Sequence, residues 1–338
     1  MAERNRKFLL RERPSGRIDD STFELVEEGV PEIGEGEALV RNEWISLDPT
    51  NRAWINDTPT YLPPVQIGEV MRGLGLGRVA ASNNPNYEEG QLVQGLVGWQ
   101  EWAVASDEAP LLPVPNAEGV SPSAFLGVLG MTGLTAWVGL TDIGKPQPGE
   151  TLVVSAATGA VGSVAGQLAK ARGARVVGIA GGADKCALLT DKLGFDAAVD
   201  RKADDWRQQL IDATPDGIDV DFENVGGPIM ELILARLNLH ARVALCGLIS
   251  GYNDTEPPPP PRTFANILPQ RALIQGFIVL DHFGRIQEAV AELGELMTQG
   301  HLQTLETVVE GFEQLPTAVN MLFDGQNVGK LVLHVDGA

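Results

Sequence analysis

Only 2 cysteines occur in the chain, Cys186 and Cys246, far apart and in no Cys-x-x-Cys pattern. Their scarcity excludes a disulfide framework and a four-thiolate zinc site. The 4 histidines, His240, His282, His301 and His334, show no ligand spacing, whereas a catalytic zinc takes three side-chain ligands around an open position. No catalytic metal is expected. Cations are scarce as well: 25 Lys and Arg stand against 45 Asp and Glu, a formal charge of −20, with no basic run. A phosphate backbone would be repelled, so nucleic acid is not an expected partner, and the acidity itself reads as solubility. No apolar run reaches the ~18 residues of a membrane span, and the basic start, Met1 to Arg11, leads into no apolar leader. The expectation is a cytoplasmic protein without a membrane partner.

With 338 residues, 43% of them hydrophobic, the chain can bury a large core, enough for two domains or for one domain with a sizeable partner. Its first third carries short apolar runs between glycines and prolines, among them Glu37 to Arg41, Gly75 to Ala80 and Gln91 to Val97. That is the pattern of a β-rich domain with tight turns. From about Phe125 strands and helices alternate. A helix is expected over Ser123 to Leu140, then a strand through Val153 and Val154 with its helix, and a strand from Arg175 to Ala180. Helices from Asp184 to Leu193, Asp204 to Ala213 and Pro228 to Leu237 alternate with strands from Phe195 to Val199, Gly217 to Glu223 and Arg242 to Cys246. A strand from Arg271 to Leu280 and a helix from Gly284 to Gln299 complete an α/β fold with a doubly wound sheet. The last segment, Leu302 to Ala338, reads like the first part again, so the chain is expected to return to it.

The most informative stretch runs from Thr151 to Lys170. An apolar run of parallel-strand type passes directly into Ala157-Thr158-Gly159-Ala160-Val161-Gly162, small residues suited to a strand-to-helix turn. Ala157 takes the first place of the usual glycine triplet, which weakens the motif. Its context strengthens it: Gly173 is placed as a left-handed C-cap, and the next strand closes a βαβ unit within roughly thirty residues. A diphosphate then rests on the helix N-terminus, where unpaired N–H groups and the positive dipole end face it. The alternative is an ordinary turn that binds nothing.

The end of the second strand discriminates between dinucleotides, because an NAD site places Asp or Glu there for the ribose 2′-hydroxyl. This chain has Gly181 and Gly182 there, with Lys185 one turn later and Arg201 after the following strand. Two cations suit a 2′-phosphate, so NADP(H) is expected over NAD. The alternative, with Asp184 nearby, is two solvated surface charges.

Several motifs in order resemble one family. Ala156 to Ser163 with Gly166 to Lys170, then Glu223-Asn-Val-Gly-Gly227, Cys246 to Asn253, Gly276 to Val279 and Gly325 to Lys330 are similar to the zinc-independent medium-chain dehydrogenase/reductases. The branch they resemble holds the prostaglandin and leukotriene reductases, plant alkenal double-bond reductases and bacterial curcumin-reductase-like enzymes. Ser46 to Arg52, Tyr61 to Pro64 and Gly68 to Met71 extend the likeness over nearly the whole chain. The resemblance implies a Rossmann NADP-binding domain over residues 123–300 and a GroES-like substrate domain from residues 1–122 and 301–338. It also implies a homodimer formed by edge pairing through Arg271 to Leu280. Lys185 corresponds to a lysine on the 2′-phosphate, whereas Arg201 stands where relatives carry a tyrosine. Asn224, the segment Cys246, Gly247, Ile249 and Tyr252, the groups of Phe277, Ile278 and Val279, and Asn327 are implied along the ribose and nicotinamide, with Thr132 close by.

Tyr252 is the candidate for chemistry. Hydride addition to the β-carbon of an α,β-unsaturated carbonyl builds charge on oxygen, and without zinc a hydroxyl must stabilise it. The alternative is a core tyrosine with its hydroxyl satisfied by backbone. The α-carbon proton can come from solvent, from Tyr252 or from the cofactor ribose. Thr50 stands where relatives usually have tyrosine, which removes an aromatic wall from the substrate pocket. Tyr61, Trp99 and Met131 are further candidate walls, with plain core as the alternative. The proline run from Glu256 to Arg262 is either a stiff pocket edge or an inert connector. The expected activity is NADPH-dependent reduction of medium-sized apolar enones or enals. Quinone reduction at the same site and a structural or sensory NADPH-binding role without turnover are the rivals.

Overall fold

Thr151–Val154 is buried at all four positions, which a strand achieves only inside a sheet covered on both faces. The computed structural model, which describes residues 4–58, 60–115, 119–256 and 258–335, builds such a sheet around it. Six strands lie in the order Ala197–Asp200, Arg175–Ala180, Thr151–Val154, Ile218–Glu223, Leu237–Leu245, Leu273–Gly276. Every neighbouring pair is parallel, as the expected doubly wound fold requires. The chain runs outward from Thr151–Val154 in one direction and then crosses back to its other side. That reversal leaves a crevice at the carboxyl ends of the central strands, the place where this architecture binds ligands.

Small residues set how closely the helices approach. Helix Ala160–Ala171 is buried from Gly162 to Ala169. A Cβ on Gly166 would lie 1.9 Å from the Phe195 ring, and one on Gly178 would lie 2.8 Å from the same ring. Only glycine fits either position. The helix ends at Gly173, whose φ of +85° is the expected left-handed cap.

Several elements differ from the sequence reading. Residues Ser123 to Leu140 form a short 3₁₀ turn, Pro122–Phe125, and a separate helix, Met131–Val138, which widens into a π-type stretch over Gly139–Gly144. The helix placed over Pro228 to Leu237 stops at Leu234, because Leu237 already begins a strand. That strand carries an irregularity: Ile218 pairs with Leu237 but Val220 with Arg242, and His240 takes a φ of +64°. Only Leu273–Gly276 of the expected Arg271 to Leu280 strand pairs with a neighbour.

The chain divides into two compact units, residues 1–126, 307–326 and 331–338, and residues 127–306 with 327–330. The second holds the parallel sheet. It also takes residues 327–330, which the sequence reading leaves in the β-rich part. The first is built on Ala38–Leu47, which pairs antiparallel with Leu74–Ser82, Trp102–Ala105 and, through Leu331 to His334, the strand Lys330–His334. Phe8, Phe23, Trp99 and Phe312 fill its core, with Phe8 stacked on Phe312 at 5.4 Å between ring centroids. No helix among the described residues is long and apolar enough to cross a membrane.

Strand Ile218–Glu223 carries acids at alternate positions, all on one face. Asp219 accepts from the Thr151 amide and from Asn238. Asp221, fully buried between Val153 and Val243, meets no hydrogen-bond donor among the described residues. Burial first, and then Glu223, pushes its carboxyl well above the usual range, so the group is held neutral. The unfolded chain releases that proton more readily. The stability due to this group is fully present below the unfolded value of about 4 and is lost as pH rises through the folded one. Urea melts of Asp221→Asn and the parent at about pH 5 and about pH 8 should show the variant gaining on the parent as pH rises. A constant or shrinking gap excludes a neutral Asp221.

Candidate active site

The turn between the first strand of the sheet and helix Ala160–Ala171 is tighter than its sequence shows. Ala156 adopts a φ of +49°, a left-handed conformation that costs a residue with a side chain about 1 kcal/mol. Its carbonyl oxygen lies 2.5 Å from where a Cβ on Gly162 would stand, so glycine there is obligatory. Gly159 enters the helix in extended conformation and no side chain caps it. The amides of Ala160 and Val161 are thus left for a ligand, at the positive end of the dipole. Residues 327–330 cross this turn. The Gly329 amide donates to the Thr158 carbonyl at 2.7 Å, and Gly329 forms a parallel bridge with Gly159. A Cβ on Gly329 would lie 1.8 Å from the Leu305 carbonyl oxygen.

Cations gather beyond the second strand. A Cβ on Gly181 would lie 3.2 Å from Arg201 Nε and 3.3 Å from Lys202 Cε, so both side chains pass over that residue. Lys185 Nζ donates to the Asn327 carbonyl at 2.6 Å. Burial, then the charges of Lys202 and Arg201, lowers its ammonium below the usual lysine range. Asp200 fixes the corner by accepting from the amides of Gly182 at 2.7 Å and Lys202 at 2.9 Å. Asp184 is exposed. Lys202 is absent from the sequence reading; its signal is adjacency to Arg201 in the turn after strand Ala197–Asp200.

A hydrogen-bonded cluster occupies the carboxyl ends of the central strands. Asn224 Nδ2 donates to the Ser155 carbonyl at 2.8 Å, and the Asn224 amide donates to Ser155 Oγ at 2.7 Å. The amides of Cys246 and Gly247 donate to the Glu223 carbonyl, and the Ile249 amide to the Asn224 carbonyl. Tyr252 follows, half-buried, with its hydroxyl oxygen 3.3 Å from where a Cβ on Gly247 would stand. The Cys246 thiol is pushed up to about 12 by burial and by Glu223, which rules it out as a nucleophile near neutrality. Phe277 is half-buried and its ring faces Gly139, with Ile278 and Val279 continuing the chain past the last strand. Thr132, in the first turn of helix Met131–Val138, is only 6% exposed, and its hydroxyl meets no partner among the described residues. Met131 beside it is half-buried. Pro257 of the proline run lies outside the described residues; Pro258 packs near Gly251.

The remaining candidates belong to the first unit. Thr50 and Tyr61 share a hydrogen bond between their hydroxyls, and Tyr61 is 42% exposed. Buried Arg52 fixes the short helix Thr50–Trp54 by donating to Gly16 and Asn56. Trp99 is fully buried against Phe8 and Phe23, so it belongs to the core, the alternative that its sequence context left open. Among the described residues no group of three or more His, Cys, Asp or Glu is arranged to hold a metal ion.

Comparison with known proteins places this geometry. Residues 6–114 match the family described as the N-terminal domain of oxidoreductase, and residues 160–296 the family described as zinc-binding dehydrogenase. The NADPH-dependent curcumin reductase of Escherichia coli is 44% identical over 340 residues, covering 99% of this chain and 98% of that protein. The NADP(+)-dependent 2-alkenal reductase of Nicotiana tabacum is 35% identical over 337 residues, covering 98% and 97%. The crystal structure of CurA from Vibrio vulnificus in complex with NADPH superposes with a TM-score of 0.94 at 42% identity, covering 98% of this chain and 100% of that one. The chain therefore belongs to the medium-chain dehydrogenase/reductases, in the zinc-independent branch of the curcumin, alkenal and prostaglandin reductases.

Proposed function

We propose that the chain binds NADPH and reduces the carbon–carbon double bond of α,β-unsaturated ketones and aldehydes without a metal. The observation that carries the cofactor assignment is the convergence of Lys185, Arg201 and Lys202 near Gly181, in a chain whose net charge is −20. Three cations gathered in an acidic protein, with Lys185 lowered by burial and then by the charges of Lys202 and Arg201, leave a site that a 2′-phosphate relieves. The amides of Ala160 and Val161 would hold the diphosphate, and the buried Thr132 hydroxyl, which meets no partner among the described residues, would serve the nicotinamide end.

When bound, NADPH supplies a hydride. Hydride added to the β-carbon of an enone would place negative charge on the carbonyl oxygen, to which the Tyr252 hydroxyl would donate a hydrogen bond, and a proton taken up at the α-carbon would complete the saturated product. Support for a double bond as the target comes from the relatives, whose names specify curcumin and 2-alkenals. Met131 is the proposed substrate contact of the second unit, and Thr50 and Tyr61 are those of the first, each taken within its own unit. Replacing the family tyrosine, Thr50 takes up the Tyr61 hydroxyl and directs that phenol. The protein is further proposed to form a homodimer through the edge strand Leu273–Gly276. Leu273 of that edge strand is 47% exposed, and Leu268 and Phe264, shortly before it in the chain, are 84% and 59% exposed.

Incubation with NADPH and a panel of enones, enals and quinones tests the activity: one saturated carbonyl product should form per NADPH consumed, and NADPH binding without consumption overturns it. Tyr252→Phe should lower kcat by about 100-fold while NADPH affinity changes by less than about twofold. An unchanged kcat removes the tyrosine from the reaction. Lys185→Ala should weaken NADPH by more than about tenfold and NADH much less. Equal weakening contradicts the 2′-phosphate assignment. In light scattering the parent should run at twice the monomer mass and Leu268→Glu/Leu273→Glu at the monomer mass; a monomeric parent overturns the dimer.

A further inference from the structure

The side chain of Glu223 has no part in the reading above, yet a single one of its oxygens gathers three donors. It is fully buried. Its Oε1 accepts from three donors: the Ser155 hydroxyl, the Val225 amide at 2.6 Å and the Gly226 amide at 3.0 Å. Each donor leads somewhere different. Ser155 precedes Ala156 and so begins the strained turn under the phosphate site; its hydroxyl also accepts from the Asn224 amide. Val225 accepts at its carbonyl from the Ser250 amide at 3.0 Å and from the Ser250 hydroxyl at 2.6 Å. Ser250 lies in the 3₁₀ turn Ile249–Gly251, and the Tyr252 amide closes that turn by donating to Ile249. Gly226 takes a φ of +78°, a left-handed conformation that favours glycine.

We infer that Glu223 is a positioning residue whose one carboxyl oxygen holds the phosphate-binding turn and the Tyr252 turn in fixed register. The inference rests on the proposed roles of those two turns, but its physical basis is independent of them. Three donors on one oxygen at the end of a strand define where residues 224–226 stand, and those residues define where residues 249–252 stand. The groups facing this carboxyl are Asp221 from its own strand and the Cys246 thiol from the adjacent one. No cation among the described residues hydrogen-bonds to Glu223; the donors alone hold it, so shape and hydrogen-bond acceptance are what the position requires. A glutamine supplies the same acceptor oxygen at the same reach. An alanine supplies none.

Glu223→Ala and Glu223→Gln separate positioning from bulk stability. In the cofactor-free full-length protein, hydrogen–deuterium exchange of peptides spanning residues 224–227 and 246–252 should accelerate by about tenfold or more in Glu223→Ala, while strand Arg175–Ala180 keeps its protection. Turnover with an enone should fall by about tenfold or more in kcat with a smaller change in KM for NADPH, and Glu223→Gln should restore both readouts to within about threefold of the parent. Should Glu223→Ala not fold, Ser155→Ala removes one of the three donors and should produce the same local deprotection on a smaller scale. Unchanged exchange at both turns, uniform loss of protection across the sheet, or failure of Glu223→Gln to restore either readout overturns the inference. Exchange needs no substrate, so local deprotection in a protein that reduces no enone would sink the proposed activity and leave this assignment standing.

Discussion

The contact between helix Ala160–Ala171 and the turn before it governs the second unit. Two pieces of backbone meet there at a distance that admits no side chain: the Ala156 carbonyl faces Gly162, and one turn further along the Phe195 ring fills the space beside Gly166. This closeness brings the helix axis over the sheet's carboxyl edge and directs its uncapped first turn at the crevice. The left-handed Ala156 is the local cost, compensated by a sheet that is buried on both sides of the turn. Once that contact is made, the positions of Ser155, Asn224 and residues 327–330 follow through hydrogen bonds to the same turn.

Electrostatics in this unit runs at two scales. Overall the chain repels anions, but one corner reverses the sign within a few ångströms, because Lys185, Arg201 and Lys202 stand together and Asp200 spends its carboxylate on the backbone. At the scale of an ionic-strength screening length of about 8 Å, the corner and not the net charge decides what binds there. The buried acids obey a different rule. Asp221 is buried without a hydrogen-bond donor among the described residues and is kept neutral, whereas Glu223, two residues on, gathers three donors. Position along one strand thus decides whether a carboxyl is idle or organises its surroundings.

What was legible in the sequence was what local geometry dictates. Gly173 could be placed as a left-handed cap and the strand-to-helix turn recognised, since both depend on residues within a few positions of each other. The alternation of strands and helices likewise pointed to a doubly wound sheet, though not to its strand order. Features made by distant segments were not legible. Residues 327–330 read as part of the β-rich segment because the bridge from Gly329 to Gly159 spans half the chain. Trp99 stays open between pocket wall and core in the sequence because its burial depends on Phe8 and Phe23. Lys202 has no local signal in the sequence beyond its adjacency to Arg201, because its side chain reaches Gly181 only once two strands are side by side. The single helix expected from Ser123 divides at Gly127 to Gly130, where three-dimensional packing replaces local propensity.

The bond from Lys185 to the Asn327 carbonyl gives one residue two obligations. It faces the cationic corner, and it also holds down the strap that lies across the glycine turn. A change of nucleotide preference that began at Lys185 would loosen the strap and so disturb the diphosphate end, whichever dinucleotide is used. Arg201 and Lys202 carry no such second duty in their contacts at Gly181. Divergence toward a different cofactor, by selection or by design, therefore has a lower-risk path through residues 201 and 202, with Lys185 altered last.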